Sequence, residues 1–367
     1  MNSQNPAPHE VEISVFGPGL GECIVVHLGD GDWLVVDSCR NGLSGRPVAL
    51  DYLDSLNVDV GTRVKMVVAS HWHDDHINGL DELLGAAKGA RFVNSAAHEL
   101  ADIVRLTQLS AKTPLASATR TYEKIFQILA ARKLAGERRE AVGPVLAVAN
   151  RKLLSLLDPS RLVPTEVFSL SPGDGVMNLA KLETINALAT VQQKRRPVHQ
   201  GANQICIVLF LKLGNCTALL GADLENASGI TEGWNAIIHS AERPEGTASF
   251  FKIPHHGSEN AHSAHCWTHL LSPHPVAVVT PYSPSALPRP SDIGRICNST
   301  HSAFLTSDPT QGSIPRRPNP VDKTVRSMAL KRRLLTGKMG HGQYRFDACD
   351  PSATPVVDLH NGARKLP

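Results

Sequence analysis

The chain has 367 residues, of which 42% are hydrophobic and 19% charged, and its formal net charge is +3. These values are ordinary for a globular protein and exclude a low-complexity or strongly charged disordered chain. No apolar run approaches the ~18–20 residues of a membrane span, and residues 1–10 lack the apolar segment of a secretion signal. The seven cysteines show no paired short spacings, so we expect reduced thiols and a cytoplasmic protein without membrane contact.

The predicted elements alternate between strands and helices. Apolar and β-branched runs predict strands at 11–16, 23–28, 33–37, 64–69 and 91–94, with helices at 46–56 and 81–87. Residues 98–157 are less regular and mostly helical by composition. Further strands are expected at 168–170, 182–188, 206–213, 217–220, 250–253 and 276–280, and Tyr344 and Phe346 belong to a last strand. This order favours an α/β protein with two mixed sheets packed face to face and helices outside.

The most informative motif directly follows the strand at 64–69. His71, His73, Asp75 and His76 form the pattern H-x-H-x-D-H. His71 and His73 point to one side of an extended segment, and imidazole is the commonest ligand for zinc-like ions. Because Asp75 and His76 are adjacent, their side chains diverge and suit a second ion. The pattern therefore predicts two metals in one pocket.

Two later strands end in further metal-capable side chains. Asp223 follows the strand at 217–220 and is well placed to bridge two cations. His255 and His256 follow the strand at 250–253, within the sequence Lys-Ile-Pro-His-His-Gly-Ser at 252–258. A two-metal site needs such ligands from distant strands.

In this order, the motifs resemble those of the metallo-β-lactamase superfamily, and within it the hydrolase domain of bacterial competence (DNA-uptake) proteins and the phosphorylcholine esterases. The likeness covers roughly residues 10–310 and is carried by segments 16–26, 33–38, 71–76, 203–208, 220–225 and 252–258. It implies an αββα sandwich with metals at the strand ends. We expect a catalytic domain over 10–310, a helical insertion or cap at about 98–165, and a basic C-terminal extension over 311–367.

The resemblance also implies roles for individual residues. The expected ligands of two divalent ions, zinc by default with manganese or iron as alternatives, are His71, His73, Asp75, His76, Asp223 and His256. His255 is favoured over His256 as the group facing the substrate, and Asp75 would also orient the nucleophile. Asp37 is expected to orient a metal histidine. Further candidates for contact with the centre or the substrate are Asn203, Glu225, Ser258 and Tyr282, although Glu225 could equally cap a helix. His199 is expected to lie in a loop and not to bind metal.

The reaction implied is hydrolysis by a metal-activated water, most simply of a phosphodiester, as in a phosphodiesterase or nuclease. Residues 310–367 hold eleven Lys and Arg against four Asp, and further cations lie at 132–161 and 194–196. They would suit nucleic acid, although a solvated basic face explains them equally well. The alternatives are a small-molecule ester, choline-phosphate or lactone hydrolase, and a partner-gated effector subunit of a larger assembly. No protein partner follows from the sequence.

Overall fold

The computed structural model describes residues 4–97, 116–180, 182, 201–308 and 339–367. Within these residues the chain builds two eight-stranded sheets. The first contains β1 (Glu10–Phe16), β2 (Cys23–His27), β3 (Trp33–Val36), β4 (Val64–Val68), β5 (Arg91–Ser95), β6 (Pro144–Ala147), β14 (His341–Asp347) and β15 (Val356–His360). The second contains β7 (Arg151–Leu156), β8 (Thr165–Ser169), β9 (Leu209–Leu213), β10 (Cys216–Leu220), β11 (Ala248–Lys252), β12 (Leu271–Val279), β13 (Ala303–Leu305) and β16 (Arg364–Lys365).

Both sheets are mixed. The first has the spatial order β15-β14-β1-β2-β3-β4-β5-β6, and the second has the order β16-β13-β12-β11-β10-β9-β8-β7. Strands β3 to β6 run parallel to one another, as do β10 to β13. The carboxyl ends of these parallel strands are the places from which ligand-binding loops usually leave an α/β sheet.

Helices cover the outer faces of the sheets. They span Val48–Ser55, Val60–Arg63, Asp74–Ile77, Leu80–Ala86, Ala116–Leu134, Gly233–Ile238, Ala264–His269 and Pro290–Ser299, and residues 174–180 are also helical. Short 3-10 turns lie at Arg139–Ala141, Ala202–Ile205, His255–Gly257, Glu259–Ala261 and Ser283–Ser285. No helix in the part of the chain described here is long and apolar enough to cross a membrane.

The core lies in three layers because the strands bury both faces. Val26 of β2 points into the cluster between the sheets, whereas Val25 points outward into a cluster beneath the helices of the first sheet. Ile125 of helix Ala116–Leu134 joins that outer cluster, and Trp234 anchors its counterpart on the second sheet. The expected architecture, two mixed sheets flanked by helices, is confirmed.

Two boundaries expected from the sequence cut across these sheets. β6 and β7 fall inside the segment 98–165, which we expected to be a helical insertion, and each forms an edge of a sheet. β14 falls inside the expected extension 311–367 and pairs with β1 over its whole length. The helical character expected of the insertion is found in Ala116–Leu134. The described parts of both segments therefore belong to the sandwich.

Candidate metal centre

Loops from the carboxyl ends of several strands meet at one edge of the sandwich. Backbone hydrogen bonds fix them to one another: the His255 N–H donates to the Ala222 carbonyl (3.0 Å), and the Ser38 N–H donates to the His76 carbonyl (2.7 Å). Asp75 and His76 lie in the short helix Asp74–Ile77, which follows β4. The loop after β3 is thus tied to the loop after β4, and the loop after β10 to the loop after β11, which together form the frame of the site.

This frame brings the histidines and aspartates of the sequence motifs together. Asp223 Oδ2 lies 3.4 Å from His76 Nε2, 3.7 Å from His71 Nε2 and 4.0 Å from His256 Nε2. Asp75 Oδ2 lies 3.5 Å from His256 Nε2 and 3.7 Å from His76 Nε2. His71, His76 and Asp223 form one group of donors that could hold an ion, and Asp75, His76 and His256 form another.

The donor separations fit shared cations. Two donors bound at ~2.0–2.2 Å to one tetrahedral ion lie about 3.3–3.6 Å apart, close to most of the separations found. His73 lies at the exposed side of the first group, with its Nδ1 3.0 Å from His71 Nε2. His76 Nε2, His256 Nε2 and Asp223 Oδ1 are buried and have no hydrogen-bond partner among the described residues. Buried polar atoms without partners are costly, and a divalent cation would satisfy all three.

Asp37 holds two of the histidines from behind. It follows β3 with a left-handed backbone (φ 61°) and is buried. Its carboxylate accepts three hydrogen bonds of 2.7 Å, from the Ser70 N–H, the Ser70 hydroxyl and His76 Nδ1. The Ser70 oxygen lies 3.0 Å from His71 Nδ1. Since Nδ1 of both rings is engaged, Nε2 of both is left to face the centre.

The pKa values of the residues in the centre are shifted by burial and by their charged neighbours. Burial and the neighbouring His76 lower the pKa of His71 well below its usual value. For His76, burial lowers the pKa, but Asp223, Asp75 and Asp37 outweigh it and raise the pKa well above the usual value. For Asp223, burial raises the pKa, but His76 and His256 outweigh it and lower the pKa well below its usual range. Buried carboxylates that hold a proton on one imidazole would hold a metal ion instead when one is present.

The paired histidines point to different places, although both have left-handed backbones, with φ of 46° and 53°. His256 is buried, and its Nε2 faces the two aspartates. His255 is partly exposed, and its Nδ1 lies 3.1 Å from Asn260 Oδ1 and 3.2 Å from Glu225 Oε1. The geometry thus places His256 among the donors and His255 at the solvent-exposed opening of the cluster, its mouth.

The remaining candidates lie around that mouth. Asn203 donates to Glu225 Oε1 (2.7 Å) and lies 3.4 Å from His255 Nε2, so the Glu225 side chain contacts site residues. Tyr282 stacks on His256, with ring centroids 5.0 Å apart. Burial and the nearby Asp75 and Asp223 raise the pKa of the Tyr282 phenol. Ser258 closes the turn, and its N–H donates to the His255 carbonyl (2.9 Å). His199 lies outside the described residues.

Some contacts near the centre were not predicted from the sequence. Ser70 binds Asp37 and lies beside His71, and Thr280 Oγ1 lies 3.2 Å from His256 Nδ1. Behind Thr280, Glu22 pairs with Lys252. Ser70 directly precedes the histidine motif, so its position was a usable clue. The contacts between Glu22 and Thr280 span 258 positions of sequence and are invisible without the fold.

Fold and site together define a two-sheet αββα sandwich with a cluster of metal-capable His and Asp side chains at its strand ends. No protein-family model matches the sequence, and neither does any curated protein. Solved structures similar to the chain include a metallo-β-lactamase fold protein and a hydrolase in the β-lactamase superfamily.

One is the metallo-β-lactamase fold protein YhfI from Bacillus subtilis (12% identity, 66% of this chain and 70% of that chain covered, TM-score 0.34). Another is human tRNase Z, short form (11% identity, 80% and 91% covered, TM-score 0.34). A third is AbOPH, a hydrolase in the β-lactamase superfamily (15% identity, 46% and 69% covered, TM-score 0.27). At these scores the similarity does not extend to residue roles, reaction or substrate.

Proposed function

We propose that the protein is a hydrolase that uses two divalent ions, most simply zinc, with manganese or iron as alternatives. The observation that carries this proposal is Asp223, a buried carboxylate within 4.0 Å of three imidazole nitrogens that belong to two groups of donors. When bound, the ions would acidify a water and offset negative charge that develops on the substrate.

The donors divide between two sites. His71, His73 and Asp223 would hold one ion, and Asp75, His76 and His256 the other, with Asp223 shared between them. The first set has only three protein donors and would therefore leave room for a water, as catalytic sites require. Asp75 is less buried than Asp223, so one of its oxygens can also orient a water.

His255 is the best candidate for proton transfer to the leaving group. Its Nδ1 is held between Asn260 and Glu225, which fixes the plane of the ring. Its Nε2 is directed toward Asn203 at the mouth, where a substrate oxygen could replace that contact. A partly exposed imidazole held in this way can protonate an alkoxide as it departs.

A phosphodiester is the substrate class that best suits two ions, because they can bind both the attacking and the leaving oxygen of an in-line displacement. Two observations favour a compact phosphodiester over a polynucleotide. Glu225 places a carboxylate at the mouth. Arg132 and Arg161, counted above among the surface cations, are used internally: Arg132 is buried against backbone carbonyls, and Arg161 binds Asp32. The basic residues at 316–338, which would favour a polynucleotide, lie outside the described residues. A nuclease is therefore kept as the second candidate.

The test is hydrolysis of bis-p-nitrophenyl phosphate and of labelled DNA and RNA by purified protein with zinc or manganese. Activity is expected on the small diester and is expected to vanish in an Asp75→Ala/His76→Ala variant. A His265→Ala variant, in which an exposed histidine of helix Ala264–His269 is removed, is the matched control and should retain activity. Cleavage of polymer would identify a nuclease. No turnover of any diester by metal-loaded protein would contradict the proposal and favour another ester or an effector role.

A further inference from the structure

A buried ion pair lies directly behind the centre. Lys252 Nζ is 2.6 Å from Glu22 Oε2, and the two side chains are 0% and 1% exposed. Lys252 ends β11, three residues before His255, and Glu22 lies in the turn before β2. Removing two charges from water costs more than their attraction returns unless further hydrogen bonds compensate. The further contacts of this pair therefore matter.

The ion pair connects to His256 through one hydroxyl group. Thr280, which follows β12, donates from Oγ1 to Glu22 Oε2 (2.5 Å). His256 Nδ1 lies 3.2 Å from both Oγ1 and the carbonyl oxygen of Thr280. An ionised carboxylate only accepts hydrogen bonds, so the hydroxyl proton points to Glu22 and the hydroxyl oxygen accepts from His256 Nδ1–H. Nε2 of His256 then keeps its lone pair, 3.5 Å from Asp75.

The same arrangement occurs on the other side of the centre. There Asp37 accepts from the Ser70 hydroxyl, whose oxygen contacts His71 Nδ1. Each arm runs from a buried carboxylate, through a hydroxyl, to a histidine whose Nε2 faces the shared Asp223. Outer hydrogen bonds of this kind set the tautomer and raise the basicity of a ligating imidazole.

The Lys252 ammonium lies beside the Glu22 carboxylate in the protein interior. Glu22, Asp37 and His76 form a third group of donors that could hold a cation. Lys252 already supplies a fixed positive charge at 2.6 Å from Glu22. The Glu22 carboxylate of this third group is therefore already paired with a side-chain cation.

We propose that Glu22, charge-paired with Lys252, is a positioning residue that holds His256 through the Thr280 hydroxyl and strengthens its binding of one of the two ions. The inference rests on the proposed function only in that the centre binds divalent ions. Hydrolysis is not needed to test it.

The experiment compares wild-type protein with Thr280→Val and Thr280→Ser variants. Each is stripped of metal and titrated with Zn²⁺ against a chromophoric chelator, and Co²⁺ absorption reports the ligand field of each site. Thr280→Val is expected to weaken one of the two binding steps about tenfold. The loss falls at the low end of the range for outer hydrogen bonds because the Thr280 carbonyl still holds the Nδ1 proton. Thr280→Ser keeps the hydroxyl and should restore wild-type affinity.

Thr300→Val is the matched control, because Thr300 is also buried and its hydroxyl donates to the Pro275 carbonyl (2.8 Å), within the second sheet layer. It should bind both ions as the wild type does. If Thr280→Val does not fold, a Lys252→Met/Glu22→Met double variant removes both charges and the acceptor of the Thr280 hydroxyl at similar size, and it should show the same weakening.

Wild-type affinity for both ions in Thr280→Val, or in the double variant that replaces it, would overturn this inference but not the proposed function. So would equal losses in Thr280→Val and Thr280→Ser. A wild-type protein that binds no divalent ion would overturn the proposed function itself, so the two failures are distinguishable.

Discussion

Asp37→Asn is the substitution that most directly tests how the centre is built. The backbone of Asp37 is left-handed, with φ of 61°, a conformation that Asn tolerates better than most residues. The change therefore acts on the side chain alone. Asn offers one acceptor oxygen, whereas the Asp37 carboxylate accepts from the Ser70 N–H, the Ser70 hydroxyl and His76 Nδ1. If the single oxygen of the new Asn side chain continues to accept from Ser70, its amide NH₂ faces His76 Nδ1. Because this NH₂ can only donate, Nδ1 must accept, and the His76 proton moves to Nε2, the atom that faces Asp223.

The magnitude has two parts. One charge-assisted hydrogen bond is worth ~1.5–3 kcal/mol. Burial raises the pKa of Asp37, so removing its charge recovers desolvation energy, and we expect a loss of about 1.5 kcal/mol in the metal-free protein. The wrong tautomer of His76 should weaken metal binding about 10–100-fold, which removes a further ~1.4–2.7 kcal/mol of metal-dependent stabilisation.

Urea unfolding with and without saturating zinc measures both parts. Asp32→Asn is the control, because Asp32 is also buried and accepts from Arg161 at 2.7 Å, and it precedes β3 whereas Asp37 follows that strand. It should lose stability equally with and without metal. If Asp37→Asn keeps the full wild-type difference between metal-loaded and metal-free protein, Asp37 does not orient a metal ligand and the reasoning is refuted.

Three further predictions follow from other features. Chelation should lower the unfolding midpoint of the wild type, since an ion at a hundred times its Kd stabilises by ~2.7 kcal/mol; calorimetry should show no such shift in Asp75→Ala/His76→Ala. Arg132→Met should cost at least about 3 kcal/mol in urea unfolding, because it strands carbonyls such as those of Ala87 and Ala90; the exposed neighbour Lys133→Met should cost under about 0.5 kcal/mol. Burial lowers the pKa of His341 well below 6.5, so the unfolded chain takes up the proton first. Stability should fall by up to ~1.4 kcal/mol per pH unit below about pH 6.5, and His341→Phe should flatten unfolding curves between pH 7.5 and 5.5.

The metal-capable residues could be predicted because the pattern that marks them lies within short segments of the sequence. His71, His73, Asp75 and His76 lie within six positions after a β-branched strand, and the structure gathers them with Asp223 and His256. The sequence also predicted most strand positions. Strands β2 and β3 are buried on both faces, and their continuous apolar runs made them predictable.

The errors arose where pairing partners decide the structure. Arg151–Leu156 carries no strong strand pattern and becomes a strand through antiparallel pairing with β8. The strand expected at 206–213 begins only at Leu209, because residues 202–205 form a 3-10 turn. Residue 182, the start of another expected strand, is helical, and 183–188 lie outside the described residues. Arg132 was counted as a surface cation because a composition count does not register burial.

The hydrogen-bond path from Glu22 through Thr280 to His256 could not be predicted for a different reason. Glu22, Thr280 and Lys252 are ordinary residues in their local sequences. Their function depends on contacts between loops from three parts of the chain. A hydrogen-bond direction is a property of a network, and only the folded arrangement specifies it.

The pairing of β14 with β1 has a consequence for biosynthesis. β1 is complete at Phe16, but the strand that covers its outer edge ends at Asp347. At ~5–20 residues per second, a ribosome needs tens of seconds to deliver it. Throughout that interval a row of β1 backbone groups is open to pairing with other chains, and the buried Glu12 lacks Arg345, its ion-pair partner at 2.8 Å. A chaperone that covers this edge would therefore protect the nascent chain until its last strands emerge.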